Sequence, residues 1–254
     1  MYSLNGINLR DYGIIVSKFE GWLDMPKRIG ETEQSWPDSD GIEAFTYADD
    51  IKFDGRDLIL TGYFEDTHTN LISTIDTFYA DISAFTGLVA LVTPYGTYQV
   101  YLKNGADNQY KGGNFTDLKI VFREPVVSFT GTAGIGSGVI NYGIDTFDFF
   151  IDFNVMITSL SGSYNLPKMK AFKPVQYESE SYSLTKFETK DLIVQGYCND
   201  LTKIPNLYAL LASSGERVLH LKFDKARNCY VRDGCSFEWI KSGKGLIEIK
   251  FRLT

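Results

Sequence analysis

The sequence predicts an α+β fold, mainly β, built from two tandem copies of one antiparallel sandwich or barrel-like domain, each carrying a single packed helix. Three observations predict it. A ten-residue stretch, Asp57-Leu58-Ile59-Leu60-Thr61-Gly62-Tyr63-Phe64-Glu65-Asp66, returns as Asp191-Leu192-Ile193-Val194-Gln195-Gly196-Tyr197-Cys198-Asn199-Asp200, with six identities at a spacing of 134. The flanks repeat too. Residues 11–27 align without a gap on residues 152–168 at a spacing of 141, which pairs Gly21 with Gly162 and Pro26-Lys27 with Pro167-Lys168. Downstream, Val89, Tyr101, Gly105, Ile120, Phe122 and Arg123 fall on Val218, Tyr230, Gly234, Ile249, Phe251 and Arg252 at a spacing of 129. A spacing that shrinks in two steps is what two loop deletions in the second copy produce, so the repeat is a duplication. The third observation is periodicity: short alternating runs dominate each copy, and each has one segment with apolar residues at steps of three and four.

In order, Leu4-Asn5-Gly6-Ile7 reads as a short hairpin turning at Asn5-Gly6. Residues 11–16, rich in β-branched side chains, read as the next strand. Residues 22–29 follow, punctuated by Pro26. Residues 30–50 are acidic, turn-rich and poor in apolar side chains, so they form no core; an extended arm reaching a neighbouring subunit is expected. Residues 53–64 are the strongest strand, with Leu58, Leu60 and Gly62 on one face and Ile59, Thr61 and Tyr63 on the other. Leu71, Ile72, Ile75, Phe78, Tyr79 and Ile82 then make one helical stripe over residues 69–85, capped by Thr67 or Thr69 and ended by Gly87. The second copy shortens that helix to residues 202–212, with Pro205 in its first turn. Strands are expected at 88–93, 98–102 and 117–124 in copy one, and at 218–223, 228–231 and 246–253 in copy two.

The domain reading is 1–127 for copy one, 128–143 for a linker and 144–254 for copy two, each copy near the common domain size of roughly 100–150 residues. The linker contains Thr130-Gly131-Thr132-Ala133-Gly134-Ile135-Gly136-Ser137-Gly138, four glycines without a charge. It matches neither a phosphate loop, which needs a lysine that is absent between Lys119 and Lys168, nor the dinucleotide fingerprint.

The 254 residues are 44% hydrophobic and 15% aromatic, enough for a core in each copy. No stretch approaches the ~18 apolar residues of a membrane span, and the first residues lack the basic and apolar regions of a signal peptide. Cys198, Cys229 and Cys235 are odd in number and face Phe64, Val100 and Ala106 in the repeat, so they read as reduced, ordinary thiols. The two histidines, His68 and His220, occupy unrelated positions, His220 standing where copy one has Leu91, and neither has a nucleophile motif beside it. Asp38, Asp40, Asp49 and Asp50 lack calcium-loop spacing and read as a solvated acidic loop. No residue is singled out as catalytic, cofactor-binding or metal-ligating, and no cofactor is expected. The chemistry points away from an enzyme.

Charge is unevenly divided. Residues 1–125 carry 10 basic and 19 acidic side chains, and residues 126–254 carry 15 and 13, within a net charge of −7. Opposite bias on related copies suits a head-to-tail assembly. The acidic balance does not suit a nucleic-acid clamp, but it suits a conduit past which a polyanion slides.

The opening, Leu4-Asn5-Gly6-Ile7, Asp11-Tyr12-Gly13-Ile14-Ile15-Val16, Pro26-Lys27-Arg28, Asp40-Gly41 and Arg56-Asp57-Leu58-Ile59-Leu60-Thr61-Gly62-Tyr63-Phe64, resembles the N-terminal domain of the distal tail protein (Dit) family of long-tailed phages over residues 4–125. The resemblance implies a hexameric ring that joins the tail tube protein to the tail-tip, hub or baseplate proteins and lets DNA pass. It implies a virion location after synthesis in the host cytoplasm, with no membrane and no sequence-specific nucleic-acid binding. Where the family has a different second domain, this chain repeats the first, so three chains with pseudo-sixfold symmetry stand beside six chains as the expected ring. A β-rich carbohydrate-binding or adhesion module outside any tail is the other reading.

Overall fold

The computed structural model describes residues 1–34, 42–65, 71–110, 115–129, 131–162, 169–172, 181–184, 191–222, 226–241 and 243–254. Copy one begins with β1 (Ser3–Leu4) and β2 (Ile7–Asn8), then a 3-10 helix (Leu9–Tyr12) and β3 (Ile14–Glu20). An excursion carries the two-residue strands β4 (Glu33–Gln34) and β5 (Glu43–Ala44). The chain resumes with β6 (Arg56–Glu65), α1 (Leu71–Ser83), β7 (Val89–Thr93), β8 (Gly96–Tyr110) and β9 (Phe115–Glu124). Copy two runs β10 (Gly143–Ile144), β11 (Phe147–Asp148), α2 (Phe149–Phe153), β12 (Val155–Ser161), β13 (Met169–Phe172), β14 (Ser181–Leu184) and β15 (Asp191–Cys198). It closes with α3 (Ile204–Ala212), β16 (Arg217–His220), β17 (Arg227–Lys241) and β18 (Lys244–Leu253).

The two large sheets have the same seven-strand order. In copy one it is β2-β1-β7-β8-β9-β6-β3; in copy two, β11-β10-β16-β17-β18-β15-β12. Every pairing within them is antiparallel. The duplication predicted from sequence is therefore a duplication of topology. Local irregularities repeat as well: β3 shifts register against β6 between Val16 and Lys18, and β12 shifts against β15 between Ile157 and Ser159. Gly21 and Gly162 explain one of the repeated glycines. Both have positive φ, and a Cβ would stand 2.0 Å from the Asp57 carbonyl oxygen or 2.2 Å from that of Asp191. Only glycine permits that backbone and that approach.

Core faces follow the alternation. Along β6, Leu58, Leu60, Gly62 and Phe64 are buried while their neighbours are partly exposed. Leu192, Val194, Gly196 and Cys198 do the same along β15. Phe78 and Ile82 are the buried positions of α1, and Phe78 meets Phe64 and Tyr12 edge-on at 5.6 and 5.2 Å. Burying each such ring contributes about 1.5–3 kcal/mol. In copy two, α3 presents Ile204, Leu207, Tyr208, Leu210 and Leu211 to the core, following a 3-10 turn capped by Asp200. α1 packs on the 3-10 helix and β6, and α3 packs on α2 and β17.

Three features differ from the sequence reading. β8 and β17 run fifteen residues each, far beyond the expected 98–102 and 228–231. At Asn104-Gly105 and Asp233-Gly234, dipeptides with turn chemistry, the strands pass through register shifts instead of reversing. The ladders also pair Leu4 with Leu91 and Ile144 with Leu219. Leu219, fully buried like Leu91, thus takes its position, and His220 is offset by one. Finally, α2 is a short helix where copy one has a 3-10 turn. Asp148 caps it by accepting from the Phe150 and Ile151 amides.

The chain divides into two compact units: Met1–Asp24 with Asp54–Ser128, and Met25–Phe53 with Phe129–Thr254. The excursion between β3 and β6 is folded into the second unit. Arg56 marks where the chain leaves the first: its guanidinium donates to Glu124 at 2.6 Å and to the Trp22 carbonyl at 2.7 Å, and lies over the Tyr98 ring. The glycine-rich run is hydrogen-bonded along the second unit. Thr132 N donates to Asn206 Oδ1, Ser137 donates twice to Asp152, and Gly138 N donates to the Thr146 carbonyl.

Candidate assembly surface

An arm that is poor in apolar side chains needs polar and backbone partners, and residues 25–34 and 42–53 find both on β17 and β18. Met25 and Cys235 exchange both backbone hydrogen bonds at 2.9 Å. Arg28 N donates to the Arg232 carbonyl at 2.8 Å. Gly234, at φ 77°, lies where they cross; a Cβ there would be 2.1 Å from the Met25 carbonyl oxygen. Farther along, Gly215 N donates to the Thr46 carbonyl and Phe53 meets Phe129 edge-on at 5.0 Å. The buried Arg28 guanidinium lies 5.1 Å over the Tyr230 ring and donates to the Phe45 carbonyl. Desolvation pulls its pKa down. The expected arm to a neighbouring subunit is thus docked, over its described residues, on the second copy of its own chain. Residues 35–41, with Asp38 and Asp40, lie outside the described residues, as does His68.

One carboxylate clasps the arm. Glu33 accepts from Arg252 Nε at 2.9 Å and Nη2 at 2.8 Å, a two-pronged contact, and from the Tyr230 hydroxyl at 2.6 Å. Arg232 adds a longer contact at 3.5 Å. Burial works to raise the Glu33 pKa, but the hydrogen bonds from Arg252 and Tyr230 outweigh it and hold the carboxyl below its ordinary value. Burial and the Glu33 acceptor together push Tyr230 up to about 12. Asp191 braces the same cations, 3.1 Å from Arg252 and 3.7 Å from Arg232.

Copy one holds the corresponding array, with no arm over it among the described residues. Asp57, Lys103 and Arg123 stand where copy two has Asp191, Arg232 and Arg252. Lys103 donates to Asp57 at 2.6 Å and Arg123 at 2.9 Å. Asp54 supplies the further acceptor for Arg123 at 2.6 Å. The neighbouring apolar positions are open: Tyr101 and Leu102 are 41% and 36% exposed, whereas Tyr230 and Val231 beneath the arm are each 1% exposed.

A second surface belongs to copy two alone. Beside α2, a groove of about 510 Å³ is lined by Ile140, Phe149, Phe150, Ile151, Met156 and others. Phe150 and Ile151 are more than half exposed there, where the 3-10 helix of copy one carries the exposed Arg10. The three cysteines are buried and form no disulfide. Among the described residues no group of His, Cys, Asp or Glu gathers with metal-ligating geometry, and no helix is long and apolar enough to cross a membrane.

Sequence reasoning named Tyr101, Arg123, Tyr230 and Arg252 only as repeat anchors and missed Glu33 and Arg232. The available signal was the Tyr–Arg pair itself, retained in both copies on adjacent strands.

No protein-family model matches the chain. No curated protein matches it either. Among solved structures it is similar to the crystal structure of the SPP1 Dit protein, described as a paradigm of the hub adsorption apparatus in phages infecting Gram-positive hosts. The match has 14% identity and a TM-score of 0.38, and covers 99% of this chain and 98% of that one. That protein carries the name of the family whose N-terminal motifs this chain resembles.

Proposed function

We propose that this chain is a structural protein of a phage tail, without catalysis, whose two copies fill alternate positions of a closed ring. Three chains supply six positions. The ring joins the tail tube to the tail-tip or baseplate proteins and leaves a passage for DNA, and the chain is located in the virion. The observation that carries the reading is the arm: copy one sends residues 25–53 into the fold of copy two, linking unit to unit as a ring of related domains requires. The acidic net charge supports it, since a passage lined by acidic or neutral side chains does not retain DNA.

Native mass measurement and negative-stain imaging of the purified chain test this. A three-chain annulus with a central hole is expected. Assembly slows as salt screens the charges, while the finished ring persists. A chain that stays monomeric at high concentration and low salt, and binds glycans instead, would mean an adhesion module. A hole lined with Lys and Arg would also defeat the reading.

A further inference from the structure

Arg28 carries a charge under the arm that no carboxylate answers among the described residues. It is 6% exposed. Its side-chain hydrogen bond there runs from Nη1 to the Phe45 carbonyl at 3.4 Å, and its Nε is buried without an acceptor. The Tyr230 ring lies 5.1 Å beneath it. A ring face attracts a cation, but burying an ion without its opposite costs more than that attraction returns. An arginine does not escape the cost by shedding its proton.

A second guanidinium is tied to the same turn of the arm. The carbonyl after Phe45, that of Thr46, accepts from Gly215 N at 2.8 Å. Arg217 Nη2 donates to the carbonyl of the preceding Ser214 at 2.7 Å. Asp145 meets Arg217 Nη1 at 3.1 Å, yet the Arg217 Nε is also buried without an acceptor among the described residues. Burial pulls the Arg28 pKa down, and the charge of Arg217 adds to that. The two arginines and the turn they hold belong to the same compact unit. Around them a positive charge is left over.

We propose that Arg28 binds a small oxyanion of the phosphate class on its Nε edge, within the field of Arg217. Nε and Nη2 make the flat, two-donor edge that fits two oxygens of such an ion. Nη1 is already given to Phe45. With so little of Arg28 exposed, the ion enters while the arm is open and is enclosed as the arm docks. An ion held only by the docked arm stabilises docking by mass action. Phosphate thus fastens the arm at a second point, apart from the Glu33 clasp, whether or not the chain assembles into a ring.

A phosphate titration, at an ionic strength held constant with chloride, tests this by equilibrium dialysis and hydrogen exchange. The parent chain is expected to retain a single phosphate. Exchange at the Met25 and Arg28 amides should slow about tenfold once phosphate stands about ten times above its dissociation constant. Leu60, in β6 of copy one, reports any general salt effect and should not slow. Arg28→Met keeps an apolar stem over Tyr230 and should bind no phosphate. Glu33→Gln loosens the arm but leaves the Arg28 edge intact, so it should bind the ion more weakly without losing it. A parent chain that retains no phosphate overturns the proposal. Equal slowing at Leu60 overturns it too, as does binding that survives Arg28→Met, because the ion then acts elsewhere. Equal loss in the Glu33 and Arg28 variants also overturns it, since a loose arm alone then explains both.

Discussion

The two copies share a sheet order, a bulge and a pair of constrained glycines, yet they differ in what lies over their long strands. Beneath the arm, Tyr230 and Val231 are core residues; Tyr101 and Leu102, at the same points of the same ladder, are surface. Beside β3 and β12 the contrast reverses, and copy two exposes Phe150 and Ile151 where copy one has Arg10. Duplication thus held the buried faces to one pattern while the outer faces diverged.

The sharpest way to break the comparison is in the core, at a position both copies bury completely. Phe64 and Cys198 occupy it, each pairing with the start of the preceding strand, at Ile14 and Val155. Phe64 also packs edge-on against Phe78 of α1. Phe64→Ala should cost copy one about 3–5 kcal/mol, since the cavity has few ways to collapse. Cys198→Ala should cost copy two only about 1 kcal/mol, a single buried heavy atom. Denaturant unfolding with a probe in each copy reads the difference. Equal losses would show that the two cores are not packed alike around a shared frame.

How much of this was legible depends on which force holds each part. The repeated stretch was readable because burial alternates with period two along β6 and β15, so Leu58, Leu60, Leu192 and Val194 could not drift without emptying the core. The single helical stripe was readable for the same reason. The full length of β8 and β17 was not, because Asn104-Gly105 and Asp233-Gly234 carry turn chemistry and only tertiary pairing decides between a turn and a bulge. The arm's destination was hidden more deeply. Residues 30–50 carry few apolar side chains, and among the contacts that hold their described part is a carboxylate meeting an arginine more than two hundred residues away. Nothing in local periodicity reports such a pair. The Tyr–Arg repeat shows that a site exists, but not which sequence covers it.

A second prediction sharpens the contrast at the clasp. Glu33→Gln keeps the side-chain shape and removes the charge that Arg252 and Tyr230 address. A charge-assisted hydrogen bond of this kind contributes about 2 kcal/mol, so hydrogen exchange at the arm amides of Met25 and Arg28 should quicken by about 30-fold. The pH dependence follows in sign. Glu33 has a folded pKa below its ordinary 4.5, so its contribution is present in full above that value. It is lost as pH falls through the lower folded pKa. Arm protection should therefore decline below about pH 4.5 in the parent chain and be flat there in the variant. Asp57 is likewise held below its ordinary 3.8: burial opposes the shift, and the hydrogen bonds from Lys103 and Arg123 override it. Among the described residues it touches no arm, so Asp57→Asn should leave the arm amides unchanged. Slow exchange at Arg28 in the Glu33 variant would mean that backbone pairing alone holds the arm.

The smallest effect on stability is expected at the surface that copy two does not share. Phe150 is 55% exposed on α2, and its neighbour in the fold of copy one is Arg10, also exposed. The buried members of that turn, Phe149 and Phe153, match Leu9 and Tyr12 and carry the packing. Asp148 caps the helix whatever stands at position 150, because it accepts from backbone amides. Phe150→Arg should therefore change the unfolding free energy by no more than about 0.5 kcal/mol, as exposed substitutions away from caps and cores do. It should also raise the concentration at which the purified chain stays in solution, because it interrupts an apolar patch that includes Ile151 and Met156. A loss above about 1 kcal/mol would place Phe150 in the core of copy two. Stability held with solubility gained would show that an aromatic side chain took a charged position for reasons outside the fold of the single chain.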